Sequence, residues 1–135
     1  MGKREKVLAR KLQADLKKLE AKIDEPRGDI KKLEAKRNAS QRGVDIWESA
    51  INKLKAQFTA AKEKYEISLS ERDEQQFIRL EDNIEGYQSK LKEEQDKYDG
   101  FSEQIEAKQS LIKDEEAQIA HITQSLKRLK AQGLI

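Results

Sequence analysis

Apolar side chains along this chain recur at alternating spacings of three and four residues. From Ala9 the series runs Leu12, Leu16, Leu19, Ile23, Ile30 and Leu33, then resumes with Val44, Trp47, Ile51, Leu54, Phe58, Ala61 and Tyr65. Pro26, Arg37 and Ser40 occupy the positions that complete it. This is the seam of a coiled coil, in which helices cover each other along a narrow stripe. A second series begins out of phase at Phe77 and runs Leu80, Ile84, Tyr87, Leu91, Tyr98, Phe101, Ile105, Ile112, Ile119, Ile122, Leu126 and Leu129. Glu94, Lys108 and Glu115 fill its gaps. A chain folded back at Leu69 brings every seam position of one half opposite a seam position of the other: Ala61 and Phe77, Leu54 and Ile84, and Leu12 and Leu126 all have numbers summing to 138.

The residues around Leu69 supply a turn. Lys62 and Lys64 place positive charge near a helix C-terminus, and Glu71, Asp73 and Glu74 place negative charge in the first turn of the next helix. Ser68 with Glu71, and Ser70 with Asp73, have capping-box spacing. Shifts of one heptad would centre the turn near Tyr65 or Arg72, and the serines decide for Leu69. The predicted fold is all-α, a long antiparallel two-helix coiled-coil hairpin with its turn near Ser68–Ser70. As a single domain over residues 1–135, it has arm one at 3–67, the turn at 68–70 and arm two at 71–131. At a rise of about 1.5 Å per residue, arms of about 60 residues make a rod on the order of 90 Å long. Leu8, Ile46, Ile78 and Leu111 lie off the seam and form no second stripe of the kind a globular bundle needs.

Proline and glycine at Pro26, Gly28, Gly43 and Gly100 would ordinarily interrupt helices. The seam keeps its phase across each of them, so the expectation is a helix that kinks and continues. The alternative is an N-terminal helix over 3–24 that breaks at Pro26 and packs as a third element. The polar seam positions are themselves clustered. Pro26, Arg37, Ser40, Glu94, Lys108 and Glu115 face Ile112, Phe101, Tyr98, Val44, Ile30 and Ile23 in the fold-back register. Polar seam residues weaken a coiled coil while setting its register. A soft zone is therefore expected where Pro26, Arg37, Ser40, Glu94, Tyr98, Phe101, Lys108 and Glu115 meet, with Tyr98 and Phe101 available to a partner.

Composition agrees with elongated helix. Charged residues make up 40% of the chain and aromatics 5%, and the mean hydropathy is -0.98. That is too polar for a large globular core, yet the regular Leu and Ile spacing separates the chain from disordered sequences. The absence of cysteine removes disulfides and thiolate sites and fits the cytoplasm. No apolar run is long enough to span a membrane, and residues 1–6 lack the apolar stretch of a signal peptide. Gly2 lacks the Ser or Thr that myristoylation requires at position 6, where Lys6 stands. The net charge of +2 hides an uneven distribution. Lys3, Arg4, Lys6, Arg10 and Lys11 gather at one end of arm one, and Lys127, Arg128 and Lys130 return beside them, while Glu63, Glu66, Glu71, Asp73 and Glu74 make the turn acidic.

Catalytic chemistry finds no foothold. One histidine, His121, and no cysteine supply neither a nucleophile pair nor a metal cluster, and no glycine-rich phosphate loop is present. Arg27-Gly28-Asp29 spells an adhesion tripeptide, and Asn38-Ala39-Ser40 a glycosylation acceptor. Both fall among the breaker residues, where such residue types are expected on conformational grounds.

The layout resembles, in architecture alone, the antiparallel coiled-coil arms and stalks that act as spacers or docking rods. The expected function is accordingly a non-catalytic structural or interaction protein, a scaffold element with protein partners, no cofactor and no small-molecule substrate. Side-by-side hairpins would make a homo-oligomer. The alternative is a binding module whose basic end takes nucleic acid or an anionic membrane.

Overall fold

A computed structural model describes residues 2–133. It contains two helices, α1 (Lys3–Ser68) and α2 (Glu71–Ala131), which pack against each other as a two-helix hairpin. Their contacts divide into a terminal unit, Met1–Glu34 with Glu103–Ile135, and a turn unit, Ala35–Ser102.

The seam predicts burial closely. In each unit every seam position is buried or half-buried, whereas the flanking positions are mostly exposed. Ala9, Ile23 and Ile105 are buried in the terminal unit; Val44, Ile51 and Ile84 are buried in the turn unit. Aromatic contacts report the register. Phe77 packs between Phe58 and Tyr65, with ring centroids 6.1 and 5.2 Å away, and Trp47 meets Tyr87 edge-on at 5.2 Å. Phe77 thus straddles the Ala61 layer, as a fold-back about Leu69 requires. A small residue at Ala61 leaves room for the aromatic ring opposite.

Helix α1 does not break at Pro26. The alternative of a separate third helix over 3–24 is therefore corrected: Pro26 lies inside a continuous helix and is buried. A proline there removes one backbone hydrogen bond and costs about 3 kcal/mol. Uninterrupted burial of the seam on both sides, at Ile23 and Ile30, offsets that local loss.

At the turn, Leu69 adopts a left-handed backbone with φ 51°. Its N–H donates to the Tyr65 carbonyl at 2.7 Å, which closes α1. Ser70 is the N-cap of α2: its Oγ accepts from the Asp73 N–H at 3.2 Å, and its carbonyl accepts from the Glu74 N–H at 3.1 Å. Ser68 ends α1 and bridges the corner instead of capping, accepting from the Ser70 N–H at 3.3 Å and donating to Asp73 Oδ2 at 2.5 Å. Because α1 extends to Ser68, its last turn carries no basic residue. Lys64 reaches across to Asp73 at 3.8 Å.

Two stability changes are expected. A non-glycine residue in the left-handed region costs about 1 kcal/mol relative to glycine, so Leu69→Gly should raise the melting temperature despite removing a large side chain. That side chain is 73% exposed and contributes little packing. Glu115 is 4% exposed, and its Oε2 has no hydrogen-bond partner among the described residues. Glu115→Leu should stabilise by about 1–3 kcal/mol, the usual penalty of a buried unsatisfied group. Circular-dichroism melts measure both, and an unchanged or lowered midpoint would contradict them.

Candidate functional site

The polar seam positions resolve into separate arrangements. In the terminal unit, Lys108 leaves the seam to pair with Asp29 at 3.4 Å, and Glu115 remains inside beside the Ile23 layer. In the turn unit, the Arg37 guanidinium lies 5.9 Å from the Tyr98 ring centroid, a cation–π contact. Glu94 escapes across the backbone of Gly43, where a Cβ would sit 2.9 Å from its Oε2, and it pairs with Lys97 at 3.6 Å. Gly43 therefore provides the exit for a charge that the seam has no place for. Ser40 is buried, while Tyr98 and Phe101 are half-buried. The eight soft-zone residues thus lie in two groups, Pro26, Lys108 and Glu115 in one unit and the remaining five in the other.

The tripeptide Arg27-Gly28-Asp29 lies within α1, not in a loop. Arg27 pairs with Glu116 at 3.1 Å and Asp29 with Lys108, so both charged side chains are engaged across the hairpin. Asn38-Ala39-Ser40 is likewise helical, with Ser40 at 5% exposure.

The hairpin brings the predicted basic residues together at one end of the terminal unit. Lys3, Arg4, Lys6, Arg10 and Lys11 come from the start of α1, and Lys127, Arg128 and Lys130 from the end of α2; all eight are exposed, and none has an ion-pair partner within 4 Å among the described residues. Val7 (63% exposed) and Leu8 (46%) stand among them.

The turn presents the other chemistry. Ile67 is 87% exposed beside Leu69, and Glu63, Glu66 and Glu71 surround the pair in solvent. Leu69 is prominent in the sequence as the reversal point, but Ile67 and Val7 are not singled out by the seam. The available signal is their position two residues beyond Tyr65 and two before Ala9, apolar yet outside the register. No group of three or more His, Asp or Glu side chains among the described residues is placed to hold a metal ion. Surface hollows are open, such as one lined by Gln57, Ala60, Ala61, Lys64, Asp73, Gln76 and Leu80.

Electrostatics at the turn centre on Asp73. The hydrogen bond from Ser68 holds its carboxyl below the usual carboxylate range; partial burial opposes this, and Ser70, Lys64 and Arg72 reinforce it. The Glu74 charge raises the neighbouring Tyr65 phenol, and burial adds to the shift. Since the Asp73 value is lower in the folded chain, the unfolded chain, titrating near 3.8, binds its proton more readily. The stabilisation is complete above that range and disappears as pH falls through the lower folded value. Asp73→Asn should lower the melting temperature at pH 7, and the gap from the parent chain should narrow on acidification from about pH 5 to about pH 2. A gap independent of pH would show that Asp73 acts only through shape.

A scan against protein-family models found no matching family, and searches of curated proteins and of solved structures likewise returned no match.

Proposed function

We propose that this chain is a non-catalytic structural and interaction protein, a coiled-coil hairpin serving as a spacer, stalk or docking element in a larger assembly of proteins. The observation supporting this reading is how the apolar side chains are used. In each unit the opposite helix covers the seam, and the outer positions are mostly polar or charged, with only scattered exposed apolar side chains such as Ile46, Ile78 and Leu111. Among the described residues the helices therefore retain no continuous apolar stripe for a further helix, and the hairpin acts through the surfaces it displays. A cytoplasmic location belongs to the same proposal and rests on the cysteine-free composition, which a reducing compartment accommodates.

One observation favours a second reading. Eight exposed cations at one end of the terminal unit, without ion pairs among the described residues, are the footprint of a module for nucleic acid or anionic lipid. Against it, the net charge is only +2, and no aromatic side chain is interleaved with the cluster to stack on bases.

Titrations against DNA, RNA and anionic vesicles over a salt series separate the two. The structural reading expects no binding above background at about 0.15 M salt, whereas affinity falling steeply with salt would establish the second reading. In extracts of its own cells, the chain should migrate in an assembly well above the mass of its 15.6 kDa monomer or a dimer. Migration as a free chain would overturn the structural reading.

A further inference from the structure

The turn is built in a way the hairpin does not require. A glycine would adopt the left-handed backbone at Leu69 without strain, yet the chain places a large apolar side chain there and leaves it in water beside Ile67. The support beneath is firm: Ser68, Ser70 and Asp73 are hydrogen-bonded to one another, Lys64 reaches Asp73, and the Phe58–Phe77–Tyr65 cluster lies under them. Strain and exposed apolar surface at one rigid corner mark a contact surface. Exposed Glu63, Glu66 and Glu71 surround it, so the matching surface is apolar and edged with cations.

A surface of that kind is present on the same chain. Val7 and Leu8 are exposed within the basic cluster of the terminal unit. We propose that the turn of one copy docks on the basic end of a second copy, with Ile67 and Leu69 against Val7 and Leu8, and the turn's glutamates facing the cluster's lysines and arginines. The proposal rests on the reading of the chain as an interaction protein and names its partner. Both the apolar pair and the charge sign are complementary. The two patches are different surfaces, so each copy offers a turn and receives one, and the contact propagates unless rotation closes it into a ring. With only two large apolar side chains on each side, the contact is smaller than the roughly 800 Å² per partner of a standard interface. Association is therefore weak, concentration-dependent and sensitive to salt.

Sedimentation velocity on the 135-residue chain tests this over about 10 µM to about 1 mM, at 50 and 500 mM salt. The sedimentation coefficient should rise with concentration at low salt and stay near the monomer value at high salt. Leu69→Gly combined with Ile67→Asp removes the apolar knob, and Lys6→Glu combined with Val7→Asp removes the receiving surface. Each double variant should retain its helical circular-dichroism spectrum and weaken association by at least about tenfold. Mixed one to one, they should form a heterodimer and stop there, since only one intact surface of each kind remains. Glu66→Lys, a solvent-exposed change, provides a third variant expected to weaken association through charge alone, leaving Ile67, Leu69 and the Ser68–Ser70–Asp73 hydrogen bonds intact. Monomer at every concentration, a salt-resistant dimer, or variants that associate like the parent would overturn the proposal. Such failure is distinguishable from failure of the structural reading, which would appear as salt-dependent binding to nucleic acid or vesicles.

Discussion

Burial of a narrow heptad stripe is the constraint on which the rest of this protein depends. With charged residues at two positions in every five, neither helix carries enough apolar surface to form a core alone, and long isolated helices gain little from propensity without a partner for their apolar face. The partner comes from the same chain. Leu69 and Ser70 are the only residues between α1 and α2, so closing the hairpin costs little loop entropy. Once the turn has set which residues face each other, the pairing in both arms follows.

The seam also explains how the hairpin carries its polar positions. Charged side chains at a two-helix seam are close to water, and Arg37, Glu94 and Lys108 use that proximity in different ways: over a tyrosine ring, across a glycine backbone, and out to a carboxylate. The exposed ion pair of Arg27 with Glu116 adds little to stability, because solvent screens it. Glu115 is the exception, retained inside with its Oε2 unpaired among the described residues.

Two locations leave paired apolar side chains outside the buried seam. At the turn a strained backbone supports exposed Ile67 and Leu69, and in the terminal unit exposed Val7 and Leu8 lie among cations. Neither pair contributes to the seam, and in each two large apolar side chains stand close together in sequence, whereas Ile46, Ile78 and Leu111 are exposed singly. The seam has already consumed the apolar residues that would otherwise line a pocket.

Much of the fold was legible in the residues themselves. The three-four spacing names the buried positions, the phase break after Tyr65 requires a reversal, and Ser70 with Asp73 marks the start of α2, all because helix geometry translates sequence spacing directly into facing side chains. The basic cluster was equally legible, since a hairpin must return α2 beside the start of α1. Other features are not written in spacing. The sequence alone left Pro26 open between a kink and a helix end, and packing on both sides carried the helix through it. Spacing does not show that Glu94 crosses Gly43, that Glu115 Oε2 lacks a partner among the described residues, or that Leu69 takes a left-handed backbone with Ile67 in solvent. Those outcomes depend on the space and the partners left after the two helices meet, a property of the packed pair that neither helix carries by itself.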